Sequence, residues 1–287
     1  MGKNSSSETR VKPLMSEIGS DPEKFAKLLS LVQIDERRSF SEKILKKVES
    51  EKLIVFYTNP EKNKKEIALP QSPEYLIALV DLIVNAHVSQ KKSSDSESRK
   101  KRFNREKRNA LFSGCEEVID EAKKIIGDDK KEKWAIFENP TYPDAFIETD
   151  SSIFIIEGKR TERHTTIKTT WTDLLNQRKG SKDKDYFQRD QMVRHIQGAL
   201  YYAAQEKNES ERKKVYAFYI VCENFPDRGI IDSRKDFEDT IDKEIPFVQG
   251  LKEDICKSYY GYTTWERMKD AFRGINFPDT VEKQTQL

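Results

Sequence analysis

Apolar positions along this chain recur with two different periods, and the changes between them mark its elements. The first dozen residues are polar and are expected to be disordered. Ser20-Asp21-Pro22-Glu23 then opens a helix, with Ser20 or Asp21 as cap and Pro22 in the first turn; Phe25, Leu28, Leu29 and Val32 follow at helical spacing. A second helix is predicted over Ser41–Glu51, with Ile44, Leu45 and Val48 on one face, and a short strand over Leu53–Thr58. Tyr75–Val88 is a strongly apolar third helix, and Ala110–Ile126 is an amphipathic one. Between them, Gln90–Arg108 holds Ser93-Ser94-Asp95-Ser96 and the basic run Arg99-Lys100-Lys101-Arg102; it reads as a linker or as the basic start of the next helix.

The second half switches to strand-like patterning. Trp134–Phe137 reads as a strand, and Asp144–Thr149 and Ile153–Lys159 as the arms of a hairpin turning at Asp150-Ser151. Arg160–Asp185 is polar and loop-like, Gln188–Gln205 a helix, and Val215–Cys222 a strand. Two or three helices, one over Thr263–Phe272, close the chain. The order helix–strand–strand–strand–helix–strand from Ala110 to Cys222 fits an α/β or α+β core with a mixed sheet.

The hairpin register has a chemical consequence. Pairing Thr149 with Ser152 puts Asp144 directly opposite Glu157, and the alternation of side chains puts Lys159 on the same face. Two carboxylates and an ammonium then converge at the end of an apolar hairpin. Such a patch suits a hydrated divalent cation and a water to be deprotonated.

Composition narrows the partners. The chain has 287 residues, 36% of them charged, yet its formal net charge is only +2. Affinity for nucleic acid must therefore come from a local patch. The three cysteines, Cys115, Cys222 and Cys256, form no CxxC pair, which argues against a zinc ribbon and fits a reducing compartment. With no signal peptide and no long apolar run in view, a cytoplasmic protein with no membrane partner is expected. Nothing in the pattern fixes an oligomeric state.

Pro143-Asp144 followed by Glu157-Gly158-Lys159 resembles the signature of the PD-(D/E)XK nuclease superfamily, over about twenty residues with weaker similarity to about residue 205. Acid-x-lysine triplets also occur at Glu121-Ala122-Lys123, Asp128-Asp129-Lys130 and Glu211-Arg212-Lys213, but none of these closes an apolar strand behind a Pro-Asp. The resemblance implies a restriction-endonuclease-like mixed central sheet flanked by helices in a domain spanning 106–287, with an additional helical N-terminal region and basic linker over 1–105. It implies a deoxyribonuclease dependent on Mg²⁺ or Mn²⁺. Asp144, Glu157 and the Gly158 carbonyl would bind the ion, and Lys159 would orient or activate the water. It further implies an acid on the preceding helix, for which Glu121 is the candidate, with Glu116 and Glu117 as competitors; Glu138, on or just past the strand before the hairpin, is a further candidate.

Gln191 and His195 are i,i+4 neighbours on the helix after the hairpin. They resemble the Gln-xxx-Tyr helix of RecB-type nucleases, with His195 in the place of the tyrosine, and are candidate active-site residues. Met192, Ile196, Ala199, Leu200 and Ala203 form that helix's core stripe, and Gly198 is expected to let it pack closely on the sheet. Arg160, Arg163, His164 and Lys168 follow Lys159 directly and are the candidate phosphate contacts; the other reading is a polar loop over a sheet edge. Trp265 is expected in the core. Two other functions fit the same residues: an RNase, and a catalytically inactive nucleic-acid or partner-binding module on the nuclease fold.

Overall fold

The two most apolar strand-like runs of the sequence lie side by side at the centre of the fold. In a computed structural model that describes residues 10–57, 67–86, 115–127, 141–159, 190–205, 212–224, 231–243 and 250–275, β5 (Ser152–Gly158) pairs in parallel with β6 (Lys214–Val221). β5 is buried along its whole length and β6 from its second residue on, which is why both read as unbroken apolar runs. Around them the described residues form a seven-stranded sheet of order β2-β1-β7-β6-β5-β4-β3, where β1 is Gln33–Ile34, β2 Arg37–Arg38, β3 Ile54–Tyr57, β4 Ala145–Glu148 and β7 Tyr259–Thr264. β7 joins β6 in parallel; the remaining pairs are antiparallel, so the sheet is mixed.

Helices cover both faces, giving a mixed α/β fold. Among the described residues the helices are α1 (Lys12–Ile18), α2 (Pro22–Leu29), α3 (Glu42–Ser50), α4 (Pro73–Ala86), α5 (Glu116–Gly127), α6 (Gln191–Ala204), α7 (Arg234–Lys243), α8 (Leu251–Ser258) and α9 (Trp265–Ala271). Alternation along the strands sorts the core into two layers. Ala145, Ile147, Phe154, Ile156, Phe218 and Ile220 pack with Leu14, Phe25, Val48 and Met268 from α1, α2, α3 and α9. Phe146, Ile153, Ile155, Ala217 and Tyr219 pack with Met192, Ile196, Phe237 and Ile255 from α6, α7 and α8. Among the described residues no helix is long and apolar enough to cross a membrane.

Several expectations need correction. The first dozen residues are not all outside the fold: Val11 is fully buried and Lys12 starts α1. The region over 1–105 is not simply helical, because it adds β1, β2 and β3 to the common sheet and α1–α3 to the core. Thr263 and Thr264 are the end of β7, and the last helix begins at Trp265 with the Thr264 side chain as its cap. Gly198 does allow a close approach, but to a different neighbour: a Cβ there would sit 2.8 Å from Leu69 Cβ and 3.2 Å from Pro70 O, in the segment before α4. The expected linker over 90–108 and strand over 134–137 lie outside the described residues.

Candidate active site

The β4–β5 hairpin turns where its sequence predicts. Thr149 N donates to Ser152 O at 2.8 Å, and Thr149 Oγ1 accepts from Ser152 N at 3.0 Å. The ladder runs outward through Ala145↔Ile156, so Asp144, one residue ahead of β4, comes opposite Glu157. The Asp144 carboxylate then reaches across to the second arm, where Oδ2 accepts from Gly158 N at 2.9 Å.

Glu157 and Lys159 share the face that α6 covers. Lys159 Nζ donates to Glu157 Oε1 at 2.8 Å and to Gln191 Oε1 at 2.8 Å. His195 Nε2 lies 3.2 Å from Glu157 Oε2, so both carboxylate oxygens of Glu157 have partners. Glu157 is only 2% exposed. Burial pushes its carboxyl up, but the Lys159 ammonium and the hydrogen bond from His195 outweigh that, and the pKa is held at about 2. A buried, ionised carboxylate is thus maintained at the end of β5. The Lys159 backbone is fixed on both sides: its N–H donates to Ile220 O at 2.8 Å, and its carbonyl accepts from Trp265 Nε1 at 3.1 Å.

Helix α6 delivers its two residues because its start is pinned. Asp190 is the N-cap, and its Oδ1 accepts from Met192 N at 2.7 Å and Val193 N at 3.1 Å. Tyr219 Oη adds a third hydrogen bond to the same oxygen at 3.3 Å. Burial, then the Asp190 charge, pushes the Tyr219 phenol well above its ordinary value, so it remains a donor. From this start Gln191 and His195, one turn apart, reach Lys159 and Glu157. Behind His195, Thr141 Oγ1 lies 2.6 Å from Nδ1.

The structure therefore brings Asp144, Glu157, Gly158, Lys159, Gln191 and His195 together. Glu121 stands on the exposed side of α5, a helix that packs against α4, and Glu116 and Glu117 are exposed on its first turn. Glu138, Arg160, Arg163, His164 and Lys168 lie outside the described residues. Thr141, Asp190 and the Trp265 indole contact were not foreseen. Asp190 carried a readable signal, an acid immediately before an apolar-periodic helix; Thr141 carried none, since it lies 54 positions from His195.

Hard oxygen donors are present in the Asp144 and Glu157 carboxylates and the Gly158 carbonyl, and Glu157 is held ionised. Mg²⁺ needs only one or two carboxylates beside waters and phosphate oxygens, so this donor set fits such an ion. Among the described residues, no group of three or more His, Cys, Asp and Glu side chains is placed to hold a metal. Comparisons with protein-family models, with curated proteins and with solved structures find no match.

Proposed function

We propose that this chain is a nuclease that hydrolyses DNA phosphodiester bonds with the help of Mg²⁺ or Mn²⁺. The observation that carries this reading is the Glu157–Lys159 pair, with Gln191 on the lysine and Asp144 on the intervening amide. A buried acid kept ionised beside an ammonium is a costly arrangement for a hairpin end. It acquires a purpose if the two groups act on a water and a phosphate.

In this reading Asp144, Glu157 and the Gly158 carbonyl hold the ion, which when bound supplies charge neutralisation and lowers the pKa of water. Lys159 orients the attacking water by donating to it and offsets the negative charge that grows on the phosphate oxygens. Gln191 holds the ammonium in place. Cys115, Cys222 and Cys256 form no disulfide with one another, which suits a reducing compartment such as the cytoplasm.

A second reading draws on the same geometry. Both Glu157 oxygens already have protein partners, as they would in a structural ion-pair network of a non-catalytic nucleic-acid or partner-binding module. One experiment separates the readings. Circular single-stranded DNA, circular duplex DNA and RNA are incubated with the wild type and with Asp144→Ala, in Mg²⁺, in Mn²⁺ or in EDTA. Cutting of circular DNA in Mg²⁺ that disappears in EDTA and in the variant supports the nuclease. Cutting of RNA alone transfers the reading to an RNase. An inert wild type in both Mg²⁺ and Mn²⁺ removes it.

A further inference from the structure

Glu157 is gripped from two sides, and only one belongs to the lysine. On the other side runs a buried chain: Thr141 Oγ1, 2.6 Å, His195 Nδ1; His195 Nε2, 3.2 Å, Glu157 Oε2. His195 is fully buried and Thr141 is 4% exposed. Thr141 is itself held by a backbone bridge, its N–H donating to Leu69 O at 3.0 Å and its carbonyl accepting from Leu69 N at 2.9 Å. The hydroxyl is therefore presented to the imidazole from a fixed backbone.

Proton bookkeeping decides the direction of these bonds. An ionised carboxylate only accepts, so Nε2 must carry a proton and donate it to Glu157. If Nδ1 were protonated as well, the Thr141 hydroxyl would have to accept, and its own proton would have no acceptor among the described residues. If Nδ1 is bare, the hydroxyl donates to it and every proton in the chain is used. Only this second arrangement satisfies all three groups, and an unsatisfied buried donor costs about 1–3 kcal/mol.

A hydroxyl, an imidazole and a carboxylate in line also resemble a nucleophile with its base. The burial of Thr141 argues against that role, because a substrate carbon or phosphorus would have to reach a side chain closed off behind the histidine.

We propose that Thr141 and His195 are positioning residues: the Thr141 hydroxyl donates to His195 Nδ1, which fixes the Nε2–H tautomer and aims Glu157 Oε2, leaving Oε1 toward Lys159. The functional side of this inference rests on reading Glu157 as a metal-binding carboxylate. Groups that orient such ligands are worth about 10–100-fold in metal affinity.

The test uses the full chain, with ¹⁵N spectra of the histidine ring nitrogens and calorimetric titration with Mn²⁺ alone. His195→Gln identifies the His195 signals against His87 and His164. The wild type should show the neutral Nε2–H tautomer with a hydrogen-bonded Nδ1. Thr141→Val, which keeps the side-chain shape, should move the Nδ1 signal to that of a nitrogen without a donor, and weaken Mn²⁺ binding by about tenfold. Thr141→Ser should restore both. A doubly protonated His195, an Nδ1–H tautomer, or an Nδ1 signal unmoved by Thr141→Val overturns the assignment, whether or not the protein cuts DNA. A wild type that binds no Mn²⁺ but shows the expected spectra fails the nuclease reading and leaves the hydrogen-bond chain standing.

Discussion

Lys159 Nζ lies 2.8 Å from Glu157 Oε1, and the two residues are separated by Gly158 alone. Side-chain alternation puts them on one face, and the backbone contacts of Lys159 to Ile220 and Trp265 keep them there. Lys159→Met should leave a buried carboxylate with His195 as its remaining described side-chain partner. Loss of one member of a buried pair costs about 3–5 kcal/mol. Urea denaturation should show a loss of this order, and the double variant Glu157→Gln/Lys159→Met should recover much of it. Cleavage by Lys159→Met should fall by about 10²-fold or more. Full activity in this variant would remove Lys159 from the chemistry.

The same pair sets an acid dependence. The folded Glu157 carboxyl sits at about 2, below its ordinary 4.5. A depressed pKa means that the folded state favours the ionised form. Its contribution to stability is complete above about pH 4.5 and is lost as pH falls toward 2. Measured by urea midpoints without metal, the stability difference between wild type and Glu157→Gln should shrink steadily across that window. A difference that stays constant would mean that Glu157 is not held ionised by its neighbours.

The hairpin and its chemistry were legible because they depend on local rules. A two-residue turn fixes the register, period two fixes the face, and helical spacing carries Gln191 and His195 to the same place. What escaped depends on contacts between distant segments. Tyr259–Thr264 follows α8 without a loop, and its last two residues, Thr263 and Thr264, fall within the helix predicted over Thr263–Phe272. Its Gly261 has φ +89°, and an added Cβ would lie 2.1 Å from Gln33 O: the strand is shaped by the approach of β1. Strands β1 and β2 turn on Asp35 and Glu36, both at positive φ, where an Asn-Gly pair would have announced the hairpin. Thr141, bridged to Leu69, meets His195 from 54 positions away in the chain.

Gly158 is a position where the site and the core compete for the same space. A Cβ there would lie 2.6 Å from Val11 Cγ2, 3.1 Å from Trp265 Cζ2 and 3.5 Å from Asp144 Oδ2. Val11 is β-branched and fully buried, so it has little freedom to move aside. Gly158→Ala should cost about 1–3 kcal/mol by overpacking. It should also disturb the Asp144 contact to the Gly158 amide, so cleavage should fall by more than the population of folded protein does. Wild-type stability in the alanine variant would show that α1 yields easily, and that the glycine is not required for packing.

Asp190 ties the helix to the sheet, and its loss should be felt at Lys159. Its Oδ1 accepts from two α6 amides and from Tyr219. Asp190→Ala removes the cap at a typical cost of about 1–2 kcal/mol, and leaves the Tyr219 hydroxyl without its carboxylate. The amides of Met192 and Val193 should then exchange with solvent faster, and Gln191, the first residue of the helix, should lose its fixed position against Lys159. Asp190→Asn keeps an acceptor oxygen, so it should retain most of the amide protection while lacking the charge. Equal protection of these amides in the alanine variant would place the anchoring of α6 elsewhere, in the packing of Met192 and Ile196 against the sheet.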